Sequence, residues 1–329
     1  MMNPLVSVVI PTANRPKYLL RAVDSALAGM DPKDVEVIVV PNGPDESWRE
    51  ALRPYDNNQS VRIIRIEEAN ANIARNAGMS DARGEFIRFL DDDDYLIPES
   101  AVKQYDLIRS SEVDVVSGSV RLVDELGRGL SVWHQKPDTD DLCTAVLGPW
   151  RNCLPTAHVY RRSCLRYAKW NSATKVRQDV EWLLDLCASM ELKWNKTKDV
   201  VGIWQQHSDQ RVSSRIHINK MSRLTVPMII KTYNSLLING RLDDSRRQAV
   251  SLALWGFAVR VFFFDPIYWS HVARTAHKIH PTARPPHARY NMPMIRMLNP
   301  LLILWLELPK QWAFYLIRRI PKRIRRSHN

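Results

Sequence analysis

The sequence is poor in cysteine, and its few thiols are not spaced as a site. The 329 residues include four cysteines, which are separated by 10, 11 and 23 positions, namely Cys143, Cys153, Cys164 and Cys187. This spacing matches neither a Cys-x-x-Cys metal knuckle nor a dense disulfide framework. We therefore expect reduced thiols that pack as small apolar side chains in a cytosolic protein, with none acting as a catalytic nucleophile.

Other familiar sequence features are also missing. The N-terminal stretch MMNPLVSVVIPT has no basic segment and no long apolar run, so no signal peptide is predicted. The apolar stretches at 252–269 and 298–326 stay below the roughly 20 uninterrupted apolar residues that span a bilayer. The sequence contains no Gly-rich phosphate loop, internal repeat or low-complexity tract. These absences argue against secretion, a spanning helix and a phosphate loop of that kind.

Acidic residues become scarce after residue 210. Residues 211–329 contain 21 Lys or Arg and four Asp or Glu, a net charge of +17, whereas residues 1–210 contain 26 and 31, a net charge of −5. A chain with 45% hydrophobic residues can bury one large core and still carry an appendage. We predict a mildly acidic globular domain followed by a basic region that binds an anionic partner.

Short β-branched runs alternate with helical stretches through the first hundred residues. Strands are predicted at 5–10, 35–40, 61–66 and 85–90. One helix is predicted directly after Asn14, whose side chain can cap it, and a second at 69–80. The alternation indicates βαβ units in a mostly parallel sheet flanked by helices, an α/β fold. Because ligands of such sheets bind beyond the carboxyl ends of the strands, the loops 11–15, 41–45 and 91–94 should meet in one crevice.

The pattern continues more loosely to residue 207. Further strands are predicted at 113–121, 157–161 and 199–204, and an amphipathic helix at 176–190. The polar segment 124–141 is expected to be a mobile connection.

The stretch FLDDDDYLIP places four carboxylates, Asp91 to Asp94, directly after a predicted strand. Neighbouring carboxylates repel, so either a solvated loop or a bound cation must keep them ionised. In extended backbone Asp91 and Asp93 would point one way and Asp92 and Asp94 the other. An EF-hand is a competing metal site, but the tetrad lacks that loop's glycine and distal glutamate.

Five segments together resemble the family 2 glycosyltransferases of the GT-A fold. In order they are SVVIPTANRP, EVIVVPNGPDE, NIARNAGMSDARGEFIRFLDDDD, RQDVEWLLDL and IWQQHSDQRVS, and they extend over about residues 5–213. The resemblance implies a GT-A catalytic domain at 1–213 and leaves 214–329 as a helical, basic, membrane-associating region. It also implies an inverting, metal-dependent transfer of sugar from a nucleotide-sugar, most simply a UDP-sugar, to a saccharide acceptor.

The resemblance also assigns roles to residues. Asp179 takes the place of the family's general base, with Glu181 as a substitute; the alternative is a first-turn Asp that stabilises its helix. Mn²⁺ or Mg²⁺ would be held by Asp93, Asp91 and His207, although a lone loop His is often structural. Arg75, in the element resembling the family's Ala-Arg-Asn, would pair with phosphate unless it forms a surface salt bridge. The residues expected to bind the nucleotide-sugar are Pro11, Thr12, Asn14, Arg15, Asn42, Arg75, Asp91 and Asp92.

This sequence departs from the family pattern at three places. Pro41-Asn42 stands where an Asp pair commonly binds uracil, and an Asn amide can still accept the imide N–H. Ala13 stands where an aromatic residue often stacks on the base. Gln178-Asp179 replaces a Glu-Asp pair, which removes a like charge that could raise the pKa of the base.

The basic region combines Trp, Phe and Leu with clustered Arg and Lys. This composition suits helices that lie in an anionic headgroup layer, on the cytoplasmic face if the acceptor is a lipid-linked or surface glycan. A helical subdomain packed on the catalytic domain is the alternative, and nucleic-acid binding is less expected. Two further functions stay open: a non-catalytic carbohydrate or membrane adaptor, and a sugar nucleotidyltransferase.

Overall fold

The computed structural model describes residues 3–134, 138–148, 153–207 and 217–319, with side chains described to residue 313. These residues form two compact units. The first comprises the described residues up to Val146 and those from 153 to 207, and the second comprises Leu147, Gly148 and those from 217 onward.

A single sheet organises the first unit. Within the described residues it has nine strands, which are β1 (Val6–Thr12), β2 (Val35–Pro41), β3 (Val61–Ile63), β4 (Phe86–Phe89), β5 (Tyr95–Leu96), β6 (Val115–Val123), β7 (Gly129–Trp133), β8 (His158–Arg161) and β9 (Trp194–Gln205). Their order is β3-β2-β1-β4-β8-β6-β9-β5, with β7 paired to β6. Strands β1 to β4 pair in parallel, as β6 does with β9, whereas β8 is antiparallel to both β4 and β6. The predicted α/β fold class is confirmed.

The central strands are apolar because both faces of the sheet are covered. Every residue of β1, β2 and β4 is buried, as expected for parallel strands between helical layers. The helices of this part of the chain are α1 (Pro16–Leu27), α2 (Trp48–Leu52), α3 (Ala71–Asp81), α4 (Pro98–Ser110), α5 (Leu142–Leu147) and α6 (Gln178–Ser189). Helix α3 packs closely on β1 at Gly78, where a Cβ would come within 2.4 Å of Val9 Cγ1.

The second unit is helical in its described residues. Its helices are α7 (Ile218–Ile238), α8 (Asp244–Val261), α9 (Pro266–Ile279), α10 (Pro293–Arg296) and α11 (Pro300–Arg319). Helices α8 and α9 pack together, and Ser251 Oγ donates to the Ala276 carbonyl at 2.8 Å across their interface. The unit buries its own aromatic core, which includes Trp255, Phe262, Trp269 and Tyr290. The described residues of this unit are helical, as predicted for the C-terminal region.

The segment Asp244–Phe264 is 21 residues long and apolar enough to cross a membrane by length and composition. The sequence analysis, in contrast, predicted that the apolar stretch at 252–269 is too short to span a bilayer. Half of its most apolar window is buried within the protein, and core helices of globular proteins meet the same criteria. The length and composition of this segment are therefore weak evidence that it spans a membrane.

Most predicted elements are confirmed to within two residues, and four details are wrong. Segment 124–141 includes β7, which pairs with β6 through a turn closed by Asp124. Strand β9 begins at Trp194 rather than near 199, because it runs beside β6 for most of its length. Strand β3 ends at Ile63, and Ile66 forms only an isolated bridge to Asn42. The N-cap of α1 is Arg15, because Asn14 has a left-handed backbone, with φ of 57°.

Candidate active site

The four aspartates lie in a tight turn directly after β4. The Asp94 N–H donates to the Asp91 carbonyl at 3.1 Å, so the backbone bends instead of continuing extended. Asp91, Asp93 and Asp94 each place a carboxylate oxygen within 4.8 Å of the others. The expected two-by-two alternation is therefore wrong, since it applies only to extended chain. Three carboxylates form one cluster, hereafter the aspartate cluster.

Asp92 turns instead toward the loop after β1. It is 4% exposed, and it accepts hydrogen bonds from Thr12 Oγ1 at 2.7 Å and Arg15 Nη1 at 3.1 Å. Burial raises the pKa of Asp92 to about 7, an effect that the charge of Arg15 opposes. Asp92 thus ties the end of β1 to the turn, which positions two of the residues expected to bind the donor.

Asp93 and Asp94 are buried and have partners from distant parts of the chain. Asp93 Oδ2 accepts from Arg15 Nη1 at 2.9 Å and lies 2.8 Å from His207 Nε2. Asp94 accepts from Thr156 Oγ1 at 3.0 Å and from the Gln205 N–H at 3.2 Å. Burial, with Asp93 and Asp91 adding to it, raises the pKa of Asp94 well above its ordinary value. The end of β9 therefore closes one side of the aspartate cluster.

Asp91 connects the aspartate cluster to α6 through a buried arginine. Arg75 Nη2 donates to Asp91 Oδ1 at 2.7 Å, and its Nη1 donates to Gln178 Oε1 at 3.2 Å. The guanidinium lies over the Trp170 ring, 4.6 Å from its centroid. Because Arg75 is 6% exposed, the alternative of a surface salt bridge is wrong. The arginine is buried, while the Asp91 side chain is 33% exposed. The bond from Arg75 to Gln178 fixes the first residue of α6.

Asp179 is the second residue of α6 and is partly buried. The helix begins after Arg177, whose left-handed backbone (φ of 62°) turns the chain sharply into it. Burial raises the pKa of Asp179, and Asp91 acts in the same direction, whereas Arg177 and Arg75 oppose the shift. Asp91 is the member of the aspartate cluster that acts on the pKa of Asp179. Glu181 is held by Asn171 Nδ2 at 3.2 Å.

The loops after β1 and β2 meet beside the turn. Pro11 and Thr12 end β1, and Asn42 Nδ2 donates to the Thr12 carbonyl at 2.9 Å. The Asn14 N–H donates to Asp45 Oδ2 at 3.1 Å, a second contact between these two loops. The ends of three strands thus converge as predicted, with Asn42 on the β2 side.

His207 stacks on Tyr18 of α1, with ring centroids 4.9 Å apart. Together with its contact to Asp93, this fixes the ring at the edge of the aspartate cluster. Ser208 and Ser213, which follow it in the fifth sequence segment, lie outside the described residues.

The aspartate cluster suits a divalent cation. Three carboxylates this close repel one another, and burial strengthens the repulsion, so a cation would favour their ionised forms. Hard oxygen ligands, few in number, are typical of protein sites for Mg²⁺ and Mn²⁺, and an imidazole is a fair ligand for Mn²⁺. Asp91, Asp93 and Asp94 fit such an ion, with His207 beside them.

Sequence reasoning missed several contributors to this site. Asp94 was visible in the tetrad but was assigned to the wrong side by the alternation rule. Thr156 and Gln205 bind Asp94 from 62 and 111 positions away. Thr156 belongs to none of the five segments, and Gln205 lies in the fifth, where only His207 was assigned to the metal. Arg21 donates to the Asp93 carbonyl at 3.2 Å, one helical turn beyond the first segment. Only the fold brings these residues to the turn.

Residues 7–166 match the family model described as Glycosyl transferase family 2. The chain contains a family 2 glycosyltransferase domain. The match ends before Asp179 and His207, so it covers the turn after β4 but neither α6 nor the end of β9. The resemblance drawn from the five segments is confirmed at the level of the family.

The relatives of this glycosyltransferase domain are matched over part of their length. Chondroitin synthase of Pasteurella multocida is 40% identical over 98 residues, which is 30% of this chain and 10% of that protein. The chain spans about a fifth of the length of other curated relatives, which are uncharacterized glycosyltransferases of Rickettsia species.

Solved structures share the fold. S. aureus TarS residues 1–349 in complex with UDP-GlcNAc has a TM-score of 0.62 at 18% identity, covering 86% of this chain and 82% of that one. The mannosyltransferase PcManGT from Pyrobaculum calidifontis, in complex with GDP-Man and Mn²⁺, has a TM-score of 0.53 at 14% identity, covering 93% and 87%. The predicted GT-A fold is confirmed.

Proposed function

We propose that this protein is an inverting, metal-dependent glycosyltransferase that moves a sugar from a nucleotide-sugar to a saccharide acceptor. The observation that carries the proposal is the aspartate cluster of Asp91, Asp93 and Asp94 at the carboxyl end of β4. It lies in the family 2 domain, and its member Asp91 acts on the pKa of Asp179. A charge sink for a diphosphate and a base for a hydroxyl are the two groups that this reaction requires.

The aspartate cluster would hold Mn²⁺ or Mg²⁺, with His207 as a further ligand suited to Mn²⁺. When bound, the cation would neutralise the charge that develops on the departing nucleoside diphosphate. Arg75 contributes a fixed positive charge beside Asp91. Because Arg75 bonds to both Asp91 and Gln178, it would hold these residues in position as well as attract phosphate.

Asp179 would remove the proton of the acceptor hydroxyl as its oxygen attacks the anomeric carbon. The bond from that carbon to the diphosphate oxygen breaks on the opposite side, so a single displacement inverts the configuration. The raised pKa of Asp179 suits a base, because a more basic carboxylate accepts a proton more readily. Because residue 178 is Gln, no carboxylate at that adjacent position contributes to the pKa of Asp179.

A UDP-sugar is the donor that we favour. The structural neighbours bind UDP-GlcNAc and GDP-Man, so the fold accommodates either base. In this chain Asn42 keeps its amide nitrogen on the Thr12 carbonyl, and its amide oxygen is the group that can accept the uracil imide N–H. The nucleotide would bind beside Thr12, Arg15 and Asp92, which holds the other two. Pro11 and Asn14 would shape the loop that carries them.

The acceptor that we propose is a saccharide of a cell-surface polysaccharide or a lipid-linked glycan. The similarity to chondroitin synthase supports a saccharide acceptor. The basic second unit supports an acceptor that is presented at a membrane, at its cytoplasmic face.

Thermal unfolding of the full chain with nucleoside diphosphates tests the donor site. We expect UDP with Mn²⁺ to raise Tm by several degrees, because saturation at about 100 times Kd adds about 2.7 kcal/mol of stability. UDP alone and Mn²⁺ alone should each raise it less. An unchanged Tm with UDP, GDP, ADP and CDP, each with Mn²⁺, would contradict the donor-site proposal.

Product analysis distinguishes the two other functions. A nucleotidyltransferase would release pyrophosphate from a nucleoside triphosphate, and an adaptor would bind without turnover. Metal-dependent release of UDP from UDP-sugars is the result expected of a transferase.

We further propose that the second unit docks on an anionic membrane surface through α10 and α11. Large apolar side chains stay exposed along these helices, namely Met294, Met297, Leu302, Trp305, Leu306 and Trp312. Arg296 and Lys310 lie among them, and the sequence after 317 contains six further Lys or Arg. Exposed Trp and Leu beside basic residues are typical of helices that bind at the headgroup layer.

The variant Leu302→Gln/Leu306→Gln tests this surface. The two side chains are four residues apart on one face of α11 and are 50% and 69% exposed. Loss of two leucines from the lipid interface should weaken vesicle binding at least about tenfold, since each buried leucine contributes about 1.5–3 kcal/mol. Co-sedimentation with phosphatidylglycerol vesicles measures the change, and Leu126→Gln, at another exposed leucine, is the control. Equal binding by both variants, or no binding by the unmodified chain, would contradict the membrane proposal.

A further inference from the structure

Arg15 pairs with one member of the aspartate cluster, Asp93, and with the neighbouring Asp92. Its Nη1 lies 2.9 Å from Asp93 Oδ2 and 3.1 Å from Asp92 Oδ1, so one guanidinium nitrogen bridges two buried carboxylates. The same Asp93 oxygen lies 2.8 Å from His207 Nε2. In this arrangement Asp93 Oδ2, an oxygen of the aspartate cluster, is already hydrogen-bonded from two sides.

The remaining cations of the site are held in place more firmly. Arg75 is 6% exposed and is fixed by Asn72, Gln178, Asp91 and the Trp170 ring. The Arg21 guanidinium lies over the Tyr95 ring at 4.1 Å and contacts the backbone carbonyl of Asp93, leaving the carboxylate oxygens to other partners.

The Arg15 side chain, in contrast, is 28% exposed and belongs to the loop between β1 and α1. It is the cation of the described site that both blocks a carboxylate oxygen and has a path to solvent.

A carboxylate oxygen has two lone pairs, and those of Asp93 Oδ2 already face Arg15 Nη1 and His207 Nε2. A divalent ion bound to this oxygen would displace one of these groups, and its charge would repel the guanidinium strongly in a buried setting. Because the His207 side chain is fully buried whereas that of Arg15 is 28% exposed, Arg15 is the group that would move. An arginine released beside a diphosphate gains two parallel hydrogen bonds to phosphate oxygens, a geometry that its planar group favours.

We propose that Arg15 is an internal counter-ion that changes partner from Asp93 to the donor diphosphate when the metal binds. This proposal rests on the proposed function, and it adds that metal and nucleoside diphosphate depend on each other for tight binding. The bare ion binds weakly because it must displace Arg15 without compensation. Metal and nucleoside diphosphate bind tightly together because the diphosphate takes over the displaced guanidinium.

Mn²⁺ titration of the full chain, followed by the electron paramagnetic resonance signal of free Mn²⁺, tests the exchange. Without nucleotide, Arg15→Gln should bind Mn²⁺ about tenfold or more tightly than the unmodified chain, since the competing charge is gone. Arg21→Gln is the matched control, because it removes an equal nearby charge but frees no carboxylate oxygen. Its Mn²⁺ affinity should change by less than about threefold.

The same titration with UDP measures the coupling. In the unmodified chain UDP should strengthen Mn²⁺ binding, and Mn²⁺ should strengthen UDP binding by the same factor. In Arg15→Gln that factor should fall at least about tenfold, because no guanidinium remains to be transferred. Arg15→Lys keeps the charge without the planar fork and should lie between the two.

The outcomes separate this proposal from the one it rests on. Equal or weaker Mn²⁺ binding by Arg15→Gln, with a Tm like that of the unmodified chain, would overturn the exchange, as would equal tightening in Arg21→Gln. Mn²⁺ binding with an undiminished UDP coupling in Arg15→Gln would also overturn it while leaving the donor site intact. Absence of Mn²⁺ binding in every variant, with or without UDP, would overturn both proposals.

Discussion

Replacing Asp179 by asparagine is expected to lower kcat for sugar transfer by about 10²–10⁴-fold, the range that a positioned general base contributes. An amide cannot take the proton of the acceptor hydroxyl, whereas it keeps nearly the shape of the carboxylate. Binding of Mn²⁺ and UDP should persist, because Asp179 lies on α6 and outside the aspartate cluster. Steady-state kinetics with a UDP-sugar, together with a UDP titration, would show a loss of turnover without a loss of affinity.

The pH profile adds an independent readout. Burial raises the pKa of Asp179, so the base should become protonated, and transfer should slow, at a higher pH than for an ordinary aspartate. That acidic decline should disappear from the residual activity of Asp179→Asn. A residue that only stabilises α6 would leave the position of the decline unchanged.

Glu181→Gln is the matched comparison on the same helix. Both carboxylates lie in the first turn of α6, where a negative charge contributes about 0.3–1 kcal/mol through the helix dipole. The two variants should therefore have similar Tm values. Since Glu181 is held by Asn171, its loss should leave most of the activity. Full activity in Asp179→Asn with an inactive Glu181→Gln would transfer the assignment to Glu181.

Replacing Asp93 by asparagine should abolish metal-dependent turnover. The variant removes the central carboxylate of the aspartate cluster, which contacts both Arg15 and His207. Mn²⁺ affinity should fall by at least about 100-fold, the upper range found even for groups that support ligands indirectly. Loss of several kcal/mol of charge stabilisation corresponds to about 10³-fold in rate. Mn²⁺ titration and UDP-release assays measure the two effects.

Asp92→Asn is the control for Asp93. It removes the same charge from the next residue but leaves Asp91, Asp93 and Asp94 in place. We expect a change in Mn²⁺ affinity below about tenfold, with a weaker nucleotide interaction because Thr12 and Arg15 lose their anchor. Equal loss of Mn²⁺ affinity in the two variants would contradict the assignment of the cluster.

Local sequence pattern predicted the central strands well. Strands β1, β2 and β4 occur within two residues of their predicted places because each is a short run that is buried on both faces, rich in β-branched residues in β1 and β2 and in Phe in β4. The same argument located the turn of aspartates and the loops at the strand ends. Pattern failed at β7, whose sequence is GLSVW. This mostly exposed strand lies in a segment that is polar as a whole, and it is held by its pairing with β6.

Reduced cysteines were also expected, yet their arrangement came only from the fold. All four thiols are buried, and none of them is in a disulfide. Cys143 forms a hydrogen bond with Cys187 that contributes to raising the pKa of the Cys187 thiol, together with its burial. The two are far apart along the chain, so no spacing rule could have paired them.

The sequence by itself determined the α/β class, the family of the N-terminal half and the position of the aspartates at the end of β4. It did so because burial periodicity and contiguous motifs are local properties. Only the tertiary structure decided which carboxylates converge, since the turn brings Asp94 to Asp91 and Asp93 while Thr156 and Gln205 hold it from remote strands. Hydrogen bonds between residues far apart in the chain depend on how the whole sheet is assembled, and no local pattern encodes them.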